Sequence, residues 1–217
     1  VLLCAWVTGA LLCLTHGYAS FLGAIATVPL LMGLKYAGSR QAFYAGLLCG
    51  LVESVILLGT LHYHGSIFIG LALLYGFQRS LFAVGFVLLA SKQSRFLNTL
   101  LAPTLWVTLE FLNSALALSL PNLLGDTQHV GFFLTLASLG GSYLISFVLV
   151  WASAVLGEVA WERISLHTTS RGVVFLVLLW VVVVAFLWVA SFAAIEPGER
   201  SLETVSIVQG GYPMWVN

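Results

Sequence analysis

The stretch RFLNTLLAPTLWVTLEFLNSALALSLPNLLGDTQH, residues 95–129, decides how the rest of the chain is read. Its first part, 96–112, is apolar and long enough to approach a bilayer crossing. It carries Pro103 near its middle and one carboxylate, Glu110, among apolar neighbours. A charge at bilayer depth costs about 2.5–3.5 kcal/mol on insertion scales, so Glu110 calls for a partner inside a helix bundle. The following ALALSLPNLLG, 115–125, is apolar but short, and Pro121 breaks it. It cannot span hydrocarbon about 30 Å thick and is too apolar for a water-exposed loop. It reads as a re-entrant or interfacial segment.

The composition agrees. Of 217 residues, 60% are hydrophobic and 7% charged, where a soluble domain carries about a quarter charged residues. This excludes a soluble fold and predicts an all-α, polytopic transmembrane bundle. The formal net charge is zero and no run of Lys or Arg is long enough to engage a polyanion, so nucleic acid is not an expected partner. Cys4, Cys13 and Cys49 lie in apolar runs without CxxC spacing and read as small core residues rather than a disulfide or zinc framework. The chain opens on Val1 inside an apolar run, which reads as a truncation rather than a signal peptide.

Apolar runs fall at 1–14, 20–34, 42–61, 67–90, 96–112, 131–159 and 172–195, giving seven expected crossings, the first two short. Lys35 and Arg40 join the second and third, Lys92 and Arg95 the fourth and fifth, Arg163 and Arg171 the sixth and seventh. Six of the eight basic residues therefore occupy alternate connections. The positive-inside rule places those connections and the N-terminus in the cytoplasm and the tail after Ile195 outside. His16, His62, His64 and His129 fall on the opposite connections. They suit an interface with one wet side better than a complete ligand set, so no metal and no cofactor is expected.

Three charges stand inside the expected bilayer: Glu53, Arg79 and Glu110. Counting from Arg40, Lys92 and Arg95 at 1.5 Å per residue puts each roughly 20 Å from the basic boundary, in one layer. Arg79 must face the interior and pair, and Glu53 is the simpler partner because the third and fourth segments form a short hairpin. Glu110 is then left neutral or bound to backbone donors beside the re-entrant segment. The layer reads either as a helix-orienting pair or as part of a lipid-headgroup or proton path. Beyond it, 196–203 is a charged linker, and TVSIVQ, 204–209, alternates like a β-strand that needs a sheet to join. The expected organisation is a bundle over 1–195, a linker over 196–203, and the first strand of a truncated domain over 204–217.

These pieces, in order, resemble the apolipoprotein N-acyltransferases: APTLWVTLEFL (Ala102, Pro103, Leu105, Trp106, Glu110, Phe111, Leu112), then LPNLLGDTQH (Pro121, Leu123, Gly125, Gln128), then LASLGGSYLISFVLV (Gly141, Ser146, Phe147), then TVSIVQGGYP (Val208, Gln209, Gly210). Asn113 and Asn122 depart from the Arg and Trp usual in that pattern, and Glu53 and Arg79 stand where the family is generally uncharged. The resemblance implies a multi-pass protein of the bacterial inner membrane followed by a periplasmic nitrilase-type domain. It implies transfer of an acyl chain from a phospholipid to the N-terminal diacylglyceryl-cysteine of a lipoprotein, through a thioester on a cysteine, using a Glu-Lys-Cys triad. No catalytic residue is expected within this chain.

Too short to span and too apolar for water, the loop with Leu118, Pro121, Leu123 and Gln128 reads either as a side entry for an acyl chain or as packing for the bundle's mouth, and Trp215 either corresponds to a tryptophan that the family carries after its first strand or is an interfacial aromatic. Expected partners are a phospholipid donor, a lipoprotein acceptor and membrane lipid. Two readings from other classes are a small transporter subunit with Glu53, Arg79 and Glu110 along its path, and a non-enzymatic membrane scaffold.

Overall fold

The computed structural model describes residues 1–15, 20–60, 65–90, 94–115, 124–128, 131–166 and 170–194, and these are predominantly helical. Seven α-helices follow one another: α1 (Leu2–Thr15), α2 (Val28–Leu34), α3 (Ser39–Thr60), α4 (Ser66–Ala90), α5 (Arg95–Ala115), α6 (Gly131–Leu166) and α7 (Arg171–Ala194). Short 3₁₀ turns at Ser20–Ala24 and Leu124–Thr127 precede α2 and α6. The strand expected over 204–209, the linker and Trp215 lie outside the described residues, as do Leu118, Pro121 and Leu123.

Four segments are long and apolar enough to cross a membrane: Ser39–Leu57, Phe68–Ala90, Thr135–Ser165 and Arg171–Ser191. The expected crossing at 20–34 takes another form. A 3₁₀ turn, a bend and a seven-residue helix replace one continuous helix, because Pro29 lacks an N–H and fits only the first turn of α2. This broken element runs back along α1, where Leu30 N donates to Thr8 Oγ1 at 3.0 Å. The expected crossing at 131–159 is also broken. Gly140 and Gly141 leave helical geometry inside α6, and Gly141, at φ 62°, adopts a left-handed conformation that other residues strain to reach.

Local chemistry starts the helices where the sequence offers it. Gln41 Oε1 reaches back to the N–H of Gly38 ahead of α3, and Ser94 and Ser170 accept from the third residue after them, opening α5 and α7. α3 and α4 pack backbone to backbone because glycines line their seam. A Cβ on Gly46 would sit 2.3 Å from the Arg79 carbonyl oxygen, and one on Gly50 2.4 Å from that of Tyr75. Pro103 sits buried inside α5, and Phe82 meets the Trp106 ring edge-on at 5.2 Å in the central core. α7 faces outward, exposing Phe175, Leu178, Val182, Phe186 and Val189, a surface suited to lipid.

One end of the bundle, here the basic end, is tied by charges. Lys35 Nζ lies 2.8 Å from Glu158 Oε2 and over the Trp161 ring. Arg95 pairs with Glu162, which also accepts from the N–H and hydroxyl of Ser170 at 2.6 and 2.7 Å. These contacts join α2, α5, α6 and the start of α7. A small cavity lined by Lys35, Asn98, Thr99 and Glu158 lies there, about the size of one water molecule.

Candidate functional site

The close approach of α3 and α4 positions the first half of the site. With no side chain on Gly46 or Gly50 to hold the helices apart, Arg79 lies across from Glu53 and binds it side-on with one edge of its guanidinium: Nε donates to Oε2 and Nη2 to Oε1, each at 2.8 Å. Glu53 is 1% exposed and Arg79 6%. A fork-to-fork pair is the arrangement in which two buried charges recover most of the hydration they lose.

A face of the guanidinium lies on Trp106, with its central carbon 3.9 Å from the ring centroid. Trp106 therefore serves two partners. Its ring carries the cation, and its indole N–H donates to Oε1 of Glu110, four residues later on the same face of α5, at 2.9 Å. The same Oε1 accepts from the backbone N–H of Leu124 at 2.9 Å, and the next N–H, of Gly125, donates to Ser146 Oγ on α6 at 2.8 Å. Ser146 in turn lies against the Glu110 carboxylate. Glu110 is 3% exposed, and its Oε2 has no hydrogen-bond partner among the described residues.

Glu53, Arg79, Trp106, Glu110 and the 3₁₀ turn thus form one connected polar layer running from α3 through α4 and α5 to α6. The three charged residues expected to share a depth are brought together, and one backbone donor, the Leu124 N–H, reaches Glu110 from the turn that precedes α6. Glu110 lies five residues, or about 7 Å along the axis, inside the end of α5. A chain that leaves α5 at Ala115 and binds Glu110 at Leu124 has turned back into the bundle.

Gln128 is buried at the end of the turn, with its N–H donating to the Gly125 carbonyl at 3.2 Å and its carboxamide packed against Gly23. Gly125 is pressed so closely on α6 that a Cβ there would lie 2.0 Å from the Ser142 carbonyl oxygen. The break at Gly140 and Gly141 opens this approach, because it starts a new helical run beside the turn.

Sequence reasoning pointed to Glu53, Arg79, Glu110 and Gln128 but assigned no role to Ser146 and none to the Trp106 indole as a bridge. The spacing of Trp106 and Glu110 at i and i+4 was the available signal. Glu158 and Glu162, to which the sequence assigns no role, are both buried against neighbouring helices.

Chemically, the layer offers an acceptor oxygen and fixed dipoles in a buried interior, suited to holding a segment or a headgroup. The thiols of Cys4 and Cys13 lie in α1 and that of Cys49 in α3, and among the described residues no cluster of three His, Cys, Asp or Glu could hold a metal.

A search of curated proteins finds no match. The family model of the apolipoprotein N-acyltransferase N-terminal domain matches residues 8–155, more than half of the chain and every residue of the polar layer. With four helices able to cross a bilayer, the chain is a transmembrane protein, and it belongs to the apolipoprotein N-acyltransferase N-terminal domain family.

Proposed function

We propose that this bundle serves lipoprotein maturation, holding a phospholipid whose acyl chain is transferred to the N-terminal diacylglyceryl-cysteine of a lipoprotein. The observation that carries the reading is the return of the chain to Glu110 at Leu124. The sequence ALALSLPNLLG, 115–125, is too short to cross the bilayer and would form an apolar patch in water, so in this reading it lies against lipid or protein. The role assigned to Leu118, Pro121, Leu123 and Gln128 is to form a lateral route by which an acyl chain leaves the outer leaflet. The intramembrane charges Glu53, Arg79 and Glu110 hold the helices that frame it.

In this reading the basic end faces the cytoplasm, the loop end faces the periplasm, and the protein resides in the bacterial inner membrane. The covalent step needs an activated thiolate and an oxyanion donor on the periplasmic side. It is assigned to the Glu-Lys-Cys set of a nitrilase-type domain and to no residue of the bundle; Trp215 falls on the substrate side of that domain. Neither metal nor organic cofactor takes part.

The reading is tested in the full-length gene product. In bacteria depleted of their own activity it should restore the third acyl chain, seen by mass spectrometry of lipoprotein N-termini. Photo-crosslinkers at Leu118 and Leu123 should give phospholipid adducts. Diacylated lipoproteins together with crosslinks to water alone would reject both the activity and the route.

A further inference from the structure

We propose that Glu110, held by Trp106, and Ser146 form a latch that fixes the depth of the 3₁₀ turn at Leu124–Thr127, by accepting from two of its consecutive backbone N–H groups. The proposal deepens the function above, on which only its consequence for lipid access rests. A loop crossing an apolar region must satisfy its own N–H groups or meet acceptors from elsewhere. Here the acceptors come from two different helices: Glu110 Oε1 on α5 takes Leu124 N and Ser146 Oγ on α6 takes Gly125 N. Two ties to separate helices fix both the height and the rotation of the turn.

The carboxylate is itself held. The Trp106 indole N–H restrains Oε1, and the Trp106 ring is clamped under Arg79, which Glu53 fixes from α3. A turn at the loop end is thereby positioned by an ion pair two helices away. Trp106 is the joint, and these are positioning residues. A general packing role would not require the Glu110 carboxylate oxygen and the Ser146 hydroxyl to accept from adjacent backbone donors while the indole N–H holds that same carboxylate oxygen.

The latch is read directly by hydrogen exchange of single amides in the full chain held in phospholipid nanodiscs. In the parent protein Leu124 and Gly125 N–H should exchange slowly. Glu110→Leu should speed Leu124 by at least about tenfold while the amides of α3 and α4 keep their rates, reflecting loss of one buried acceptor. Glu110→Gln keeps an acceptor oxygen and should restore most of the protection. Ser146→Ala should speed Gly125 more than Leu124. Trp106→Phe keeps the ring under Arg79 but removes the N–H, and should loosen Leu124 alone.

Unchanged Leu124 exchange in Glu110→Leu overturns the proposal. So does equal acceleration of the turn and of α3 and α4, which marks a purely structural role. If Glu110→Leu does not fold, Ser146→Ala and Trp106→Phe decide by the same amides. Faster exchange without any change in lipoprotein acylation leaves the latch standing and removes its link to lipid access.

Discussion

Replacing Glu53 by Gln leaves the Arg79 guanidinium in the bundle without its counter-charge, and the structure sets the scale of the loss. Both hydrogen bonds are 2.8 Å, and neither side chain reaches solvent that could replace them. Removing one partner from a buried pair costs about 3–5 kcal/mol. Part of this is offset. The Gln carbonyl can accept one of the two N–H groups, and the Trp106 ring 3.9 Å away holds the cation with up to about 2 kcal/mol. A net loss of about 3 kcal/mol follows, or roughly 6–12 °C in the unfolding midpoint for a chain of this size.

The second arm removes the charge altogether. Changing Arg79 to Leu in the Glu53→Gln background leaves no buried ion and places an aliphatic chain on the Trp106 ring, so more than half of the loss should return. Helical signal is followed against temperature in one detergent for the parent, both single variants and the double. A double variant as unstable as the two singles added together would refute the pairing as the source of the cost.

Further changes test the surrounding parts. Gly46→Ala inserts a methyl group 2.3 Å from the Arg79 carbonyl oxygen and should destabilise by about 1–3 kcal/mol; an unchanged midpoint would contradict the close helix seam. Glu162→Gln should speed amide exchange in the first turn of α7 by about tenfold, because Glu162 accepts from both the N–H and the hydroxyl of Ser170. Lys35→Ala, which removes a partly solvated pair, should cost less than about 1 kcal/mol by the same thermal measurement. A cysteine at Asp126 should react with an impermeant maleimide in intact cells while one at Lys92 stays protected; the opposite pattern would invert the orientation.

The bundle was legible because helix-length apolar runs and their basic connections leave few alternatives for such a chain. What composition could not supply was helix continuity. The run at 20–34 is as apolar as its neighbours, yet Pro29 confines α2 to seven residues, and the run at 131–159 conceals a left-handed Gly141 that hydropathy does not register. The charged layer was legible for a different reason. Counting residues from the basic boundaries places Glu53, Arg79 and Glu110 at one depth, and the cost of an unpaired charge demands contact. Counting cannot see rotation about a helix axis, so it could not tell that Trp106 turns its ring to Arg79 and its N–H to Glu110.

The two ends of the bundle are held by different means, and this bears on where motion can occur. At the basic end, Lys35 with Glu158 and Arg95 with Glu162 join long side chains across helices, and these contacts can lengthen without breaking the helices that bear them. At the loop end, the turn is bound through backbone N–H groups to a carboxylate and a hydroxyl whose own positions are fixed by Trp106 and by the helix break at Gly140 and Gly141. Such short contacts have no reach to spare, so the turn is either seated or released. Release would strand Glu110 in an apolar interior with one donor instead of two, a cost that favours the seated state until another hydrogen-bond donor takes its place. A ligand that brings a donor to Glu110 would shift that balance by the difference in its affinity for the two loop positions.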